Sequence, residues 1–304
     1  MVVHQLAPTA WFTTLGPHQP VLRVRPGDAI VAQTLDANGW DAAGVKRASP
    51  PNPMSGPVFV EGAEPGDALG VTIEKIVPTR ATGWSRAALA HNVVDPDFVA
   101  ALPPRDRAQW RIDPVRAIVE LQDAPPGAAA IAVPLAPMIG CFGVAPAGGE
   151  AIATSSSGPH GGNMDWRGCR PGATVWFPVA VPGANFFLGD GHAAQGDGEI
   201  CGTGVETACE MTVTLQLRKG WRIAWPRGTD AAGRFTIGNA RPLDQALQHA
   251  TTEMLRWLLE DGLDAVSASH LLGQSVRYDI ANAFNPAYSV VCRIAEPNRP
   301  AAAE

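Results

Sequence analysis

The sequence predicts a mainly β fold with a smaller α/β portion: a barrel-like or stacked-sheet β architecture covered by C-terminal helices. Three observations lead there. Glycine (32 residues) and proline (28 residues) cut the 304-residue chain into short pieces, which favours strands over long helices. A Pro-Gly turn followed by a β-rich apolar run recurs at Arg25 to Ala37 (RPGDAIVAQTLDA), Glu64 to Ile76 (EPGDALGVTIEKI) and Arg170 to Val181 (RPGATVWFPVAV). Clear helical periodicity is confined to the last quarter of the chain. Short strands bury their faces only by closing into a barrel or stacking. At 46% hydrophobic content the core is sizeable, as one domain over 1–304 or with a subdivision into a β-rich 1–235 and a helix-containing 236–304.

After the first two turn-strand units, Ala87 to Ala124 is mixed, and DPDFVAALPPRDRAQWRIDP reads as a proline-broken excursion. APPGAAAIAVPLAPMIGCFGVAPAGGE is again turn and strand material. In PLDQALQHATTEMLRWLLEDG, Leu243, Ala246, Ala250, Met254, Trp257 and Leu258 line one face of a helix, and Gly262 stops it. A second helix falls on LDAVSASHLLGQS. AYSVVCRIAE alternates as a closing strand, and PNRPAAAE reads as a frayed tail. The helices are expected to cover a sheet face rather than to do chemistry.

Composition excludes several classes. The net charge is -6 with dispersed basic residues, so no nucleic-acid surface is expected. No basic segment followed by an apolar run opens the chain, and no stretch of about 18 apolar residues occurs, which leads to the expectation of a cytoplasmic protein without a membrane partner. Cys141, Cys169, Cys201, Cys209 and Cys292 contain no C-x-x-C pair and read as free thiols. Lys46, Lys75 and Lys219 are the three lysines. That scarcity counts against a Glu-Lys-Cys amide hydrolase built on Cys201 and against a Ser-Ser-Lys relay at Ser155 to Ser157.

The chemistry concentrates in Leu188 to Glu206, LGDGHAAQGDGEICGTGVE, where six glycines surround Asp190, His192, Asp197, Glu199 and Glu206. Residues two apart in an extended segment project to one side, so Asp190 with His192, and Asp197 with Glu199, can each converge. An aspartate with a histidine suits a borderline cation such as zinc, and carboxylates alone suit calcium or magnesium. A hydrogen-bonded turn cluster holding the loop explains the same residues. In TSSSGPHGGNMDWRG, His160, Asn163 and Asp165 either face a small substrate or build a surface turn. Glu61, ending the apolar run of GPVFVEGAEPGD, is a general base or a buried acceptor. Asp36, in TLDANGWD, stands at a similar strand end. Trp40, Trp166, Trp176, Phe186 and Phe187 line a pocket or fill the core.

Together, GPVFVEGAEPGD, MIGCFGVAPAGGE, HGGNMDWRG, FPVAVPGANFFLGDGHAAQGDGEICGTGVE and VVCRI resemble the acetamidase/formamidase family, in order from Pro20 to Ile294. The resemblance implies hydrolysis of a short amide, or of a cyclic one such as a γ-lactam, to a carboxylate, with ammonia released from the open-chain amides. It also implies a homo-oligomer and a divalent metal ion, zinc or calcium. Carried over by position, the functional segments are His160 to Asp165 and Asp190 to Glu199, with Glu61 facing the same cleft. The stretch TLDANGWDAAG matches the family's acidic strand end only loosely.

These readings combine into one expected site. Asp190 and His192, with Asp165 or Asp36, hold the cation; Glu199 or Glu61 handles the proton; Asn163, with the glycine N–H groups, meets the oxyanion, and His160 completes the catalytic set. Two rival classes stand beside it: a metal-free amidase with Cys201 as nucleophile, and a non-catalytic protein that binds a small molecule or a cation.

Overall fold

The structure is a computed structural model that describes residues 1–124, 127 and 129–295. The expected tail PNRPAAAE lies outside the described residues.

All three Pro-Gly turns form. Gly27, Gly66 and Gly172 take φ of 91°, 96° and 94°, the conformation that a turn with proline second and glycine third requires. Each is closed by a hydrogen bond from the fourth residue to the first: Asp28 N to Arg25 O at 3.0 Å, Asp67 N to Glu64 O at 3.0 Å, and Ala173 N to Arg170 O at 3.1 Å. The strands launched by these turns, Ala29–Gln33, Ala68–Pro78 and Thr174–Pro178, all belong to one sheet.

Among the described residues that sheet has nine strands, in the order Val3–Leu6, Ala29–Gln33, Cys209–Arg218, Ala68–Pro78, Thr174–Pro178, Arg227–Asp230, Gly233–Ala240, Tyr288–Ile294 and Arg277–Asn282. The second sheet runs through Thr82–Arg86, Glu206–Thr207, Phe186–His192, Met138–Gly143 and Gly161–Asn163. Neither path returns to its first strand, so of the two β architectures expected, the stacked one is adopted. Leu69, Val71, Ile73, Val175, Phe177, Met211 and Val213 of the first sheet pack against Ile139, Phe142, Phe186 and Leu188 of the second in one continuous core.

The expected excursion is half strand. Arg107–Asp113 and Ile118–Leu121 pair with each other, and the former pairs with Thr82–Arg86. The flanking prolines hid the alternation that buries Ala108 and Ile112. Trp166, Phe186 and Phe187 are core rather than pocket lining.

Helix α1 (Leu243–Glu260) buries Ala246, Ala250, Met254, Trp257 and Leu258, as the periodicity predicts. Helix α2 (Ala265–Ser275) starts at Asp264, whose carboxylate accepts from the N–H groups of Val266 and Ser267 and so satisfies two orphan donors. The two helices and the strand Tyr288–Ile294 enclose a second core of Met254, Trp257, Leu258, Ala268, Leu272, Cys292 and Ile294. Gly238 allows the close approach of α1, because a Cβ there would stand 2.1 Å from Ala246 O.

One buried residue on α1 breaks the apolar pattern. Glu253 is fully enclosed and accepts from Arg227 Nε at 2.6 Å, while Arg227 donates both Nη groups to Glu260 at 2.6 and 2.9 Å. Removing one member leaves an uncompensated buried charge. Glu253→Ala is therefore expected to lower stability by about 3–5 kcal/mol, read from urea denaturation.

Candidate metal and catalytic site

The site is built on the strand Phe186–His192, every residue of which is buried. It pairs antiparallel with Met138–Gly143, Met138 opposite His192 and Cys141 opposite Gly189. On its other side His192 stands opposite Glu206. This cross-strand pairing carries Glu206 to the His192 ring.

Asp165, Asp190 and His192 offer ligand atoms that all lie within 4.8 Å of one another, and so do His192, Glu199 and Glu206. All of these residues are 5% exposed or less. His192 Nε2 is 3.1 Å from Glu206 Oε1 and 3.5 Å from Asp190 Oδ1, with hydrogen-bonding geometry to neither. Asp165 Oδ1, Asp190 Oδ1 and Glu206 Oε2 are likewise buried without a partner. Unpaired buried polar atoms are costly, so four of them in two triads that share His192 mark a place made for a ligand.

The backbone is strained at the same place. Asp165, Asp190 and Glu199 have φ of 46°, 56° and 45°, the left-handed region that non-glycine residues enter rarely. The kink at Asp190 interrupts the pairing opposite Gly140. A Cβ on Gly140 would stand 2.5 Å from Asp165 Oδ1 and 2.7 Å from Asp190 Oδ2. Gly140 is thus the floor against which two carboxylates close.

Surrounding groups fix the donors. His192 Nδ1 is 2.8 Å from Gln195 Oε1, and Gln195 Nε2 donates to Asp165 O at 2.5 Å, so Nε2 is the ring nitrogen that faces the carboxylates. Asn285 Nδ2 donates to Asp165 Oδ2 at 2.6 Å. Asn52 Nδ2 donates to Asp190 Oδ2 at 3.1 Å and to Asn163 Oδ1 at 2.9 Å.

The electrostatics follow from burial. It pushes the Asp165 carboxyl up to about 7, with the neighbouring Asp190 charge adding to it and His192 opposing. Burial also carries Glu206 to about 7 against the pull of His192, and raises Glu199 well above the usual carboxylate range with help from Asp165. For His192 burial disfavours charge, but Glu206 and Asp190 outweigh it and hold the ring protonated well above its ordinary value. Negative potential on this scale, with one imidazole among carboxylates, fits a divalent cation, and the mixed nitrogen and oxygen donors suit zinc.

Asp190, His192, Asp165 and Glu199 therefore come together as anticipated, and Asn163 adjoins them through Asn52. His160 is buried with both ring nitrogens unpartnered, its ring between Gly158 and Gly162. Burial lowers its pKa to about 4, which keeps it neutral. Two anticipated groups lie elsewhere. Asp36 is fully buried but spent: its oxygens accept from the N–H groups of Asn38 and Trp40, from Arg80 at 2.6 Å and from Trp84 Nε1 at 3.1 Å. Glu61 is half exposed and faces Arg25 at the surface, 3.4 Å away. Asp197 and Glu199 also part company, because Gly198 turns the chain at φ 80° and leaves Asp197 outside, paired with Arg167 at 2.6 Å. Cys201 is half buried, and burial raises its thiol pKa.

Comparison with known proteins places this geometry. The profile of the Acetamidase/Formamidase family matches residues 144–242. An acetamidase of Mycolicibacterium smegmatis is 28% identical over 259 residues, 64% of this chain and 60% of that protein. A formamidase of Methylophilus methylotrophus is 25% identical over 250 residues, covering 66% and 61%. These alignments thus span about three fifths of the curated relatives' lengths. The crystal structure of an acetamidase from Yersinia enterocolitica superposes with a TM-score of 0.83 at 30% identity, covering 97% of this chain and 92% of that one.

Proposed function

Since the chain belongs to the acetamidase/formamidase family, we propose that it hydrolyses the carbon–nitrogen bond of short amides, giving a carboxylate and ammonia, and that it works as a homo-oligomer. The observation that carries this reading is the pair of buried triads, Asp165 with Asp190 and His192, and His192 with Glu199 and Glu206, which share His192 and hold four unpartnered buried polar atoms.

Asp165, Asp190, His192 and Glu206 would hold the divalent ion. When bound, such an ion polarises the amide carbonyl and lowers the pKa of water. The remaining work belongs to the chain. Glu199 takes a proton from the attacking water as its oxygen bonds to the carbonyl carbon, and gives a proton to the departing nitrogen as the carbon–nitrogen bond breaks. Burial raises its pKa, which favours the half of that transfer in which it gives a proton. Asn163 has Oδ1 occupied by Asn52, which leaves its amide hydrogens for the oxyanion, a contribution of about 3–4 kcal/mol to the barrier in comparable sites. His160, neutral and unpartnered, supplies a hydrogen bond to the amide without adding charge. The burial of the cluster favours short amides over long ones.

Ammonia release from formamide and acetamide, and ring opening of a γ-lactam, test this directly. Exhaustive chelation is expected to abolish turnover, and added zinc or calcium to restore it. Cys201→Ala is expected to keep kcat/KM within about threefold of native, because its raised pKa leaves little thiolate to act as nucleophile. Loss of activity in that variant together with indifference to chelators would instead establish the thiol route. Saturable cation binding without turnover of any of these amides would establish a binding protein.

A further inference from the structure

The structure assigns Asn282 as a positioning residue: its side-chain amide holds the carboxylates of Glu199 and Asp165 side by side in the cluster. Asn282 ends the edge strand Arg277–Asn282 of the first sheet and is fully buried. Its Oδ1 accepts from the N–H groups of Phe284 at 2.8 Å and Asn285 at 2.7 Å. Two backbone donors on one end of the amide leave no doubt about which end is oxygen. Nδ2 then points the other way, donating to Glu199 Oε2 in a short contact and to Asp165 Oδ2 at 3.3 Å. It has two hydrogens, one for each carboxylate.

The same turn also holds the backbone that carries Glu199. Ala283 N donates to Gly198 O at 2.8 Å, and Glu199 itself sits at φ 45°, a conformation that persists only when its surroundings impose it. Among the described residues, the side-chain hydrogen bonds given to the Glu199 and Asp165 carboxylates come from the neutral amides of Asn282 and Asn285. A neutral donor between them offsets their repulsion without neutralising either, which a cationic residue would do. Asn282 therefore acts on the proton carrier from behind, and this role rests on the amide-hydrolase reading above.

Asn282→Asp separates positioning from mere turn formation. The substitution is isosteric and keeps an oxygen to accept from Phe284 and Asn285, so a turn former would tolerate it. It also replaces the donor with a third oxygen facing two carboxylates. The expected result is a fall in kcat for acetamide of about 10- to 100-fold with little change in KM, the scale seen when groups that orient an active carboxylate are lost. The added buried carboxylate is expected to lower the melting temperature of the cation-free protein, so kcat is read per folded molecule. A crystal structure of the variant should show the Glu199 carboxylate rotated away from position 282. Native kcat with Glu199 unmoved would overturn the assignment. Should that variant fail to fold, Asn282→Ser keeps a hydroxyl acceptor for the turn, and native kcat per folded molecule in it would overturn the assignment equally. The position of Glu199 is read without turnover, so failure of the native protein to cleave amides would sink the hydrolase reading while leaving this test intact.

Discussion

Asp190→Asn should lower kcat/KM for acetamide by about 1,000-fold, or roughly 4 kcal/mol of transition-state stabilisation, while the protein stays folded. Asp190 faces His192 at 3.5 Å, belongs to the buried ligand group with Asp165, and has one oxygen without a partner. Its left-handed φ of 56° is one that asparagine adopts at least as readily. The amide keeps an oxygen to accept from Asn52, so shape and backbone survive and only charge is lost. In the cation-free protein the melting temperature is expected to stay level or rise, since one of several crowded carboxylates has gone, as happens when an active site gives up stored electrostatic strain. Steady-state kinetics and calorimetry on the same sample measure both. Activity within tenfold of native would show that the reaction happens elsewhere.

Gly140→Ala is the second large effect. Gly140 has no unusual φ, so alanine meets no conformational objection there. The only obstacle is space, and its added methyl would stand 2.5 Å from Asp165 Oδ1 and 2.7 Å from Asp190 Oδ2. Contacts that short force the two carboxylates apart. A displacement of about 1 Å in groups that must converge is worth about 100-fold in rate, and the overpacking costs about 1–3 kcal/mol of stability. The variant should therefore show kcat/KM reduced about 100-fold, a lower melting temperature, and weaker zinc binding by competition with a chromogenic chelator. Gly273→Ala, in α2 where nothing lies within 4 Å of the added carbon, is the matched control and should be as active as native.

What could be read from the chain follows the range of the interactions involved. The Pro-Gly turns and their strands are local: four residues dictate a positive φ at Gly27, Gly66 and Gly172, and the apolar run follows. The buried face of α1 is legible because 3.6-residue periodicity is also local. Asp190 and His192 were legible from a two-residue spacing. Spacing alone does not mark Glu206 as a ligand, although it stands in the same glycine-rich stretch, because only the pairing of its strand with that of His192 brings it in. Asn282 lies 83 positions from Glu199 and 117 from Asp165, and in sequence it is indistinguishable from any asparagine that starts a turn. Asp36 misled for the converse reason: its strand-end setting looks like that of a ligand, but Arg80, 44 positions away, claims it. Glu61 misled because an apolar run need not carry its last residue inward, and here the chain turns at Gly62 (φ 76°) and leaves it in solvent. Glu253 shows the same limit in the core, where a charge on an apolar face makes sense only once Arg227 is in place.

The braces supplied by Asn282 and Asn285 have a consequence for how the protein comes into being. Synthesis adds them well after Asp165, Asp190, His192, Glu199 and Glu206, so until they are made the nascent chain carries an acidic cluster whose Asp165 and Glu199 carboxylates lack these two donors. Contacts that join such distant positions form late in folding. Catalytic competence should accordingly arrive in one step, as the hairpin of Arg277–Asn282 and Tyr288–Ile294 docks, and a ribosome stalled before it emerges would display a chain rich in finished strands yet inert.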